Sequence, residues 1–477
     1  MQPLATDLDH SRLRHSTAAL AHSVSPAAWR AALEVRPADA VVASAVRVGV
    51  AVALVLVVGG LLDVPQLSGF AALGALSSAF ARNEPYRVLA GKVAVVGACV
   101  VAYVGLGAGL GVAGLGSAPV IALLSLAAGV AFWLLGAFGI PGPGPVVLIF
   151  AAAGASGYAG TAAELWAALA AAAAGAAVGW VVTMSPALLN PHGPSRIAVA
   201  RALAAVSALE TVPDGERDAA RSAARSALAK AGQTIAAAGP EPSGHARELL
   251  ALLAAAETVV DTGTYDHVLA RGEDFALLET ELRKVRRDLP IPRVGPVPGD
   301  HCAEPARPEH FLRTGVRKLR APELLTGTAK VVAAALAAGL IAFALGVAHP
   351  LWATMGALAA LQGTNYQHTV QRAIQRLLGN AAGAVLAAAV FAAALGYWPL
   401  VVIITLGQVL AEIYVVRNYA LASIAVTTVA LLLTGLGEPV GAAVAAGRVI
   451  DTLIGVVAGV LVAALTVPRG DLVVGSA

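Results

Sequence analysis

A chain of 477 residues with 58% hydrophobic residues, 13% charged residues and a mean hydropathy of +0.76 lacks the solvating surface of a soluble protein, where roughly a quarter of residues are charged. The formal net charge of +3 does not point to nucleic acid, because no basic stripe with interleaved aromatics is present and the basic residues of the middle region are balanced by acids. The two cysteines, Cys99 in an apolar run and Cys302 in a distant loop, exclude a disulfide framework.

In chain order, residues 1–40 are polar and form an N-terminal segment expected in the cytoplasm. No cleavable signal peptide is evident, and the first apolar run is expected to act as an uncleaved signal anchor. A helix needs about 20 mainly apolar residues to cross the hydrocarbon core. A first membrane block, residues 41–187, offers apolar runs at Val41–Leu62, Leu67–Ala81, Val88–Leu110, Ala118–Phe138, Val146–Tyr158 and Leu165–Met184. A polar region, residues 188–322, opens with the helix breakers Asn190-Pro191-His192-Gly193-Pro194. Amphipathic stretches follow at Ile197–Thr211, Arg217–Ala238, Ala246–Leu269 and Phe275–Arg287, with Leu249, Leu250, Leu253 and Ala256 at helical spacing. Pro290–Pro298 reads as a stiff connector. The second block, residues 323–468, repeats the pattern at Leu324–Val347, Leu351–Gly363, Gly379–Leu395, Leu400–Tyr414, Tyr419–Leu433 and Ala442–Val467, and a short tail, 469–477, closes the chain.

The expected fold is therefore all-α: a polytopic membrane protein of two parallel six-helix repeats, about twelve transmembrane helices, around a cytoplasmic helical insert. The second and fifth runs of each block are short, a length that also suits re-entrant or interfacial segments. Loop charges orient the chain. The expected inner loops carry Arg82, Arg87, Arg372, Arg376, Arg417 and Arg469, and the cluster Arg313, Arg317, Lys318 and Arg320 precedes the seventh span. The outer loops carry Asp63, His349 and Glu438 without Lys or Arg. Both termini and the insert are thus expected on the cytoplasmic side. High Ala, Gly and Arg usage suggests a GC-rich bacterial source, and hence a bacterial plasma membrane. Duplication is expected because charges recur as well as apolar runs. Arg47 and Lys330 hold matching places, and Gly69–Leu76 recurs as Ala353–Leu358.

Ionisable residues inside membrane spans are costly, and so mark candidate functional positions. In the last span, Arg448-Val-Ile-Asp451 puts a cation and a carboxylate on one helix face. Counting from Ala442, Asp451 lies about 13 Å deep, near the midplane where transporters bind substrates and coupling ions. The first block has only Ala, Gly and other neutral residues at the corresponding place, Ala168–Ala177. Two readings stand: the pair neutralises itself and ties the bundle together, or it takes a direct part in transport. A second cluster, Glu412, Arg417, Asn418 and Tyr419, closes the tenth span. A third, Gln362, Asn365, Tyr366, Arg372 and Arg376, reads as a cytoplasmic entrance for an organic anion or as an inner loop obeying the positive-inside rule. His349, Pro350 and Trp352 mark the outer mouth, where His349-Pro350 reads as a turn rather than a proton relay.

The run Gly105–Gly111 lacks the Lys-Ser/Thr of a nucleotide loop and reads as close helix packing. His301, Cys302 and His310 fit no zinc spacing. No nucleophile elbow or HExxH motif is present, so neither an enzyme nor a cofactor is expected. Small-residue faces permit a homo-oligomer, but the same faces pack helices within one chain.

With these residues laid out, the second block resembles the FUSC family, named for fusaric acid resistance, of the aromatic acid exporter superfamily. The resemblance rests on His349-Pro-Leu-Trp352, Leu361-Gln362, Gln371-Arg-Ala-Ile-Gln-Arg-Leu-Leu-Gly379, Arg417-Asn-Tyr419 and Arg448-Val-Ile-Asp-Thr-Leu-Ile-Gly455, in family order. The first block is similar more loosely, without the last two segments. The resemblance implies export of aromatic or related carboxylic acids driven by the proton gradient. Asp451 would exchange protons and Arg448 or Arg417 would attract the substrate carboxylate. The competing reading is a membrane scaffold whose insert recruits cytoplasmic partners.

Overall fold

The computed structural model describes residues 17, 19–36, 41–80, 84–239, 243–262, 275–284, 308–363, 365–436 and 442–466. Arg82, the connector Pro290–Pro298, His301, Cys302, Glu438 and the tail from Arg469 onward lie outside the described residues. Among those described, every regular element is helical. Contacts divide the chain into two units. One draws on Met1–Phe80, Ala94–Val182 and Thr314–Ala477, the other on Ala81–Val93 and Thr183–Arg313.

A short helix α1 (Pro26–Leu33) precedes the first block, with Ser25 accepting from the Ala28 N–H at its start. The first block contains α2 (Val42–Leu61), α3 (Pro65–Ala75, extended by a 3-10 turn Leu76–Ala79), α4 (Tyr86–Val112), α5 (Ser117–Ala137), α6 (Val146–Tyr158) and α7 (Ala162–Met184). The insert contributes α8 (Gly193–Ser207), α9 (Arg217–Ala238), α10 (Gly244–Thr262) and α11 (Phe275–Arg283), and α12 (Phe311–Lys318) leads into the second block. That block holds α13 (Pro322–Ala344), α14 (Leu351–Ala360), α15 (Tyr366–Ala392), α16 (Tyr397–Tyr414), α17 (Tyr419–Thr434) and α18 (Ala442–Leu465).

Among the described residues, eight helices are long and apolar enough to cross a membrane: α2, α4, α5, α7, α13, α15, α16 and α18. The second and fifth helices of each block are shorter, with 11 residues in α3, 13 in α6, 10 in α14 and 16 in α17. At 1.5 Å per residue, the shortest covers only about half of a 30 Å hydrocarbon core. The eight are the ones with spanning length. Along α2 the exposed positions Val46, Val50, Leu54, Val57 and Leu61 are as apolar as the buried ones, which suits a helix bathed in lipid on one side.

One expectation is corrected. The polar run after Gln362, read as an inner loop, is helical from Tyr366 onward. The Asn365 side chain accepts from the His368 N–H at 2.8 Å and starts the helix. Tyr366, Val370, Ala373 and Ile374 then recur at helical spacing and are buried. The polar composition of the intervening positions hid an amphipathic helix.

Glycines set the close helix pairs. A methyl group at Gly74 would meet the Ala172 carbonyl, and one at Gly175 the Ala71 carbonyl, so α3 and α7 touch backbone to backbone. In the second block, Gly455 of α18 meets the Ala353 carbonyl of α14 in the same way. Gly107 of α4 faces the Ala152 carbonyl of α6, and Gly379 and Gly383 of α15 face the Ala420 and Ile424 carbonyls of α17. Between blocks, Gly49 of α2 abuts Val409 of α16, and Gly129 of α5 abuts Val332 of α13. The first helix of each block therefore packs on the fourth helix of the other.

The insert unit has its own core, including Val199, Leu203, Leu228, Ile235, Leu249, Leu252, Val260, Phe275, Leu278 and Leu282. Buried Arg196 donates to the carbonyls of Leu282 (3.4 Å) and Glu281 (3.2 Å) at the end of α11, where orphan carbonyls need donors. The His192 and His245 rings stack with centroids 5.0 Å apart and planes 10° from parallel. Burial, followed by His245 and Arg196, holds the His192 imidazole below its ordinary pKa.

Candidate functional site

The second block concentrates charge in an apolar bundle. On α18, Arg448 is 5% exposed and Asp451 1%. The Arg448 guanidinium carbon lies 3.2 Å from the centroid of the Trp352 ring, and its Nε has no hydrogen-bond partner. Both carboxylate oxygens of Asp451 are buried without a hydrogen bond. The cation and the carboxylate sense each other's charge, and Arg376 acts on Arg448 as well. On α15, Arg376 donates to the Tyr419 hydroxyl at 3.1 Å, and the Arg372 guanidinium stacks 4.2 Å from the centre of the same ring. Arg372 also donates to the Gln362 side-chain oxygen at 3.2 Å. The Nε atoms of Arg372 and Arg376 and the Gln362 amide nitrogen have no partner either. Leaving a buried polar group unmatched costs about 1–3 kcal/mol and more when it is charged, so this row of donors is held in a state suited to an incoming acceptor.

A second, fully matched network fixes the helices that carry these groups. Buried Asn380 of α15 donates to the Thr452 hydroxyl at 2.7 Å and accepts from Ser423 (2.9 Å) and Thr427 (2.6 Å) of α17. Thr452 in turn donates to the Arg448 carbonyl at 2.8 Å. Three helices are thereby tied together one residue away from Asp451. The hydroxyl–amide network is satisfied, as structural polar cores are, whereas Asp451 has no hydrogen bond and Arg372, Arg376 and Arg448 each keep an unpartnered Nε.

Trp352 also lines a cavity of about 660 Å³ with His349, Pro350, Phe150, Gly154 and Thr434. A neighbouring cavity of about 440 Å³ shares Phe150, Gly154, Gly157 and Thr434 and adds Phe70, Tyr158, Gln66 and Glu164. Phe150 and Trp352 meet at 5.4 Å between centroids. Aromatic walls with a few polar groups suit a small organic ligand. α17 runs from Tyr419, beside the arginines, to Thr434, in these cavities, about 22 Å along its axis.

At the Tyr419 end, the N-terminal segment is held by second-block side chains. Tyr366 donates to the Ala19 carbonyl (2.7 Å), Gln371 to Ala31 (2.9 Å) and Gln375 to Ala32 (2.8 Å). Asn418 donates to the carbonyls of Ala32 (3.1 Å) and Glu34 (2.9 Å), while its oxygen accepts from the N–H of Ala420 at the start of α17. The Arg36 N–H donates to the Arg417 carbonyl at 3.0 Å.

Of the residues singled out from sequence, the structure brings Asp451, Arg448, Trp352, Arg376, Tyr419, Arg372 and Gln362 into one row. Asn365 and Asn418 serve as helix caps, and Tyr366, Asn418 and the Arg417 backbone hold the N-terminal segment. His349 is exposed at the cavity rim. Glu412 is buried on α16, with Gln408 donating to it at 3.4 Å, and belongs to the helix packed on α2. Sequence reasoning missed Asn380, Ser423, Thr427 and Thr452. A lone Asn and scattered hydroxyls in Ala-rich runs carry no pattern, since Ser and Thr also bond back to their own helix.

Residues 336–462 match the family model for fusaric acid resistance protein-like proteins. The second membrane block is fusaric acid resistance protein-like. This fusaric acid resistance-like block contains every residue of the row from Trp352 to Asp451. A stretch of 130 residues, 26% of the chain, is 36% identical to the uncharacterized membrane protein YvaC of Bacillus subtilis (strain 168). The chain spans about a fifth of the length of that relative, 20%. No solved structure matches. With eight helices of spanning length among the described residues, the chain is a multi-pass membrane protein.

Proposed function

We propose that the chain is a proton-coupled exporter of aromatic or other amphipathic organic acids in a bacterial plasma membrane, with the insert and both termini cytoplasmic. The observation that carries this reading is Asp451: a carboxylate 1% exposed, with neither oxygen hydrogen-bonded, one turn from Arg448. A purely structural acid–base pair would be hydrogen-bonded, because breaking a buried pair costs about 3–5 kcal/mol. An intramembrane carboxylate kept without a bonded partner suits a group that takes up and gives off a proton.

In this reading a substrate carboxylate engages a guanidinium group of the row formed by Arg448, Arg376 and Arg372, and its ring passes Trp352 into the aromatic cavity, which opens outward. The N-terminal segment covers the inner end by binding Gln371, Gln375 and Asn418. Exchange between the two sides requires that cover to open and the α14–α18 pair to tilt against the rest, as in transporters built from two related halves. The duplication is part of the proposal. What supports it is the matched α3–α7 and α14–α18 glycine pairing, together with the crossed α2–α16 and α5–α13 contacts.

The test is efflux of a panel of aromatic carboxylic acids from loaded cells expressing wild type or Asp451→Asn at equal membrane levels. Export by the wild type alone, lost when the proton gradient is collapsed, is the expected result. No export of any acid by either protein overturns the reading.

A further inference from the structure

The row of charges is unbalanced. Arg372, Arg376 and Arg448 supply three positive charges, and among the described residues Asp451 supplies the one negative charge in the groups they touch or sense. Among the described residues, the other groups that these guanidinium groups contact are neutral: the Gln362 amide, the Tyr419 ring and hydroxyl, and the Trp352 ring. Buried charges are normally paired, and neutral partners stabilise a guanidinium only in part. Each of the three guanidinium groups keeps an Nε donor without a partner, and Arg376 and Arg448 are both 5% exposed. The site therefore lacks negative charge at two separate levels, beside Tyr419 and beneath Trp352.

From this we infer that the preferred ligand is a dianion whose two acidic groups sit apart on one rigid frame, such as an aromatic dicarboxylate. This rests on the reading of the arginine row as the substrate site. A monocarboxylate satisfies one level and leaves the other cationic and dry. A dicarboxylate brings an acceptor to Arg448 and another to the Arg372–Arg376 pair, and restores neutrality with Asp451 ionised. The first block, with Ala168 and Ala171 at the places of Arg448 and Asp451, provides no second site of this kind.

The experiment is calorimetric binding to the purified full-length protein in lipid nanodiscs at neutral pH. The ligands are benzoate, isophthalate, terephthalate and the neutral isophthalamide. The expected order is a dicarboxylate about ten- to a hundredfold tighter than benzoate, the worth of one further charge-assisted pair, with isophthalamide not bound. Arg376→Gln should collapse that ratio toward one, and Arg376→Lys, which keeps the charge, should retain most of it. If the glutamine variant does not fold, the wild-type ratio and the lysine variant decide. Benzoate binding as tightly as either dicarboxylate, with binding still lost in Arg448→Gln, overturns the dianion and leaves the site standing. Binding of no acid, or binding unaffected by Arg448→Gln, overturns the site reading as well.

Discussion

Arg448 rests its guanidinium on the Trp352 ring at 3.2 Å, so the floor of the aromatic cavity and the charged row below it share one contact. In the proposed export path, an anion leaving the arginine row for the cavity passes this stack. A guanidinium over an indole keeps its charge but leaves its edge donors free, and Arg448 Nε has no other partner. Trp352→Ala should remove about 2 kcal/mol of desolvated cation–π stabilisation, lowering initial transport rates about thirtyfold. Trp352→Phe should retain a larger share of the rate. Equal rates in the two variants would remove the ring from the mechanism.

The glycine contacts predict where bulk is tolerated. At Gly455 an added Cβ meets the Ala353 carbonyl and the Ala357 nitrogen, both backbone atoms, whereas nothing lies within 4 Å of one at Gly109. Gly455→Val should cost about 1–3 kcal/mol through overpacking, and Gly109→Ala should be neutral or stabilising by helix propensity. Thermal unfolding of the two variants in detergent measures this. A Gly455→Val protein as stable as wild type would mean that α14 and α18 are not in backbone contact.

Long-range features of the membrane class are legible in the sequence because they depend on length and apolar content: all the apolar runs but Gly379–Leu395 coincide with a helix to within about three residues at each end. The polar run from Tyr366 to Arg376 was misread as a loop for the converse reason: its polar residues outnumber the buried Tyr366, Val370 and Ile374 that make it a helix. In the site, Arg448 and Asp451 stood out because charge is rare in such spans. Asn380, matched to Thr452, Ser423 and Thr427, depends on three helices meeting, and no local spacing encodes that. The clasp between Gln375 and Ala32 joins positions 343 residues apart through a backbone carbonyl, which leaves no signature in side-chain identity.

That clasp is testable by proteolysis. Arg30 is exposed on α1, yet cleavage after it requires α1 to open locally. Loss of the Gln371 and Gln375 hydrogen bonds, each worth about 1 kcal/mol, should raise the open population about thirtyfold. Tryptic cleavage at Arg30 in Gln371→Ala/Gln375→Ala should accelerate accordingly. An unchanged rate would show that the two glutamines do not hold the segment.

The insert should lose stability in acid. His192 sits below its ordinary pKa through burial and its His245 and Arg196 neighbours, so the unfolded chain binds a proton more readily than the folded one. The contribution is complete above the ordinary imidazole value of about 6.5 and declines as pH falls below it toward the folded value. Hydrogen exchange of the buried α10 amides around Leu252–Val260, corrected for intrinsic rates, should show weaker protection at about pH 5.5 than at about pH 7.5. His192→Gln should flatten this dependence. A pH dependence identical in the variant would assign it to other groups.

In the proposed mechanism Asp451 carries the proton, and substrate-driven proton movement reads this out. Proteoliposomes containing the full-length protein and a pH-sensitive dye would be given an outward gradient of an aromatic acid anion, with wild type compared to Asp451→Asn. An internal pH change coupled to anion movement is expected in the wild type and none in the variant, although both proteins unfold at similar temperatures. The same proton movement in both would contradict the proposed mechanism.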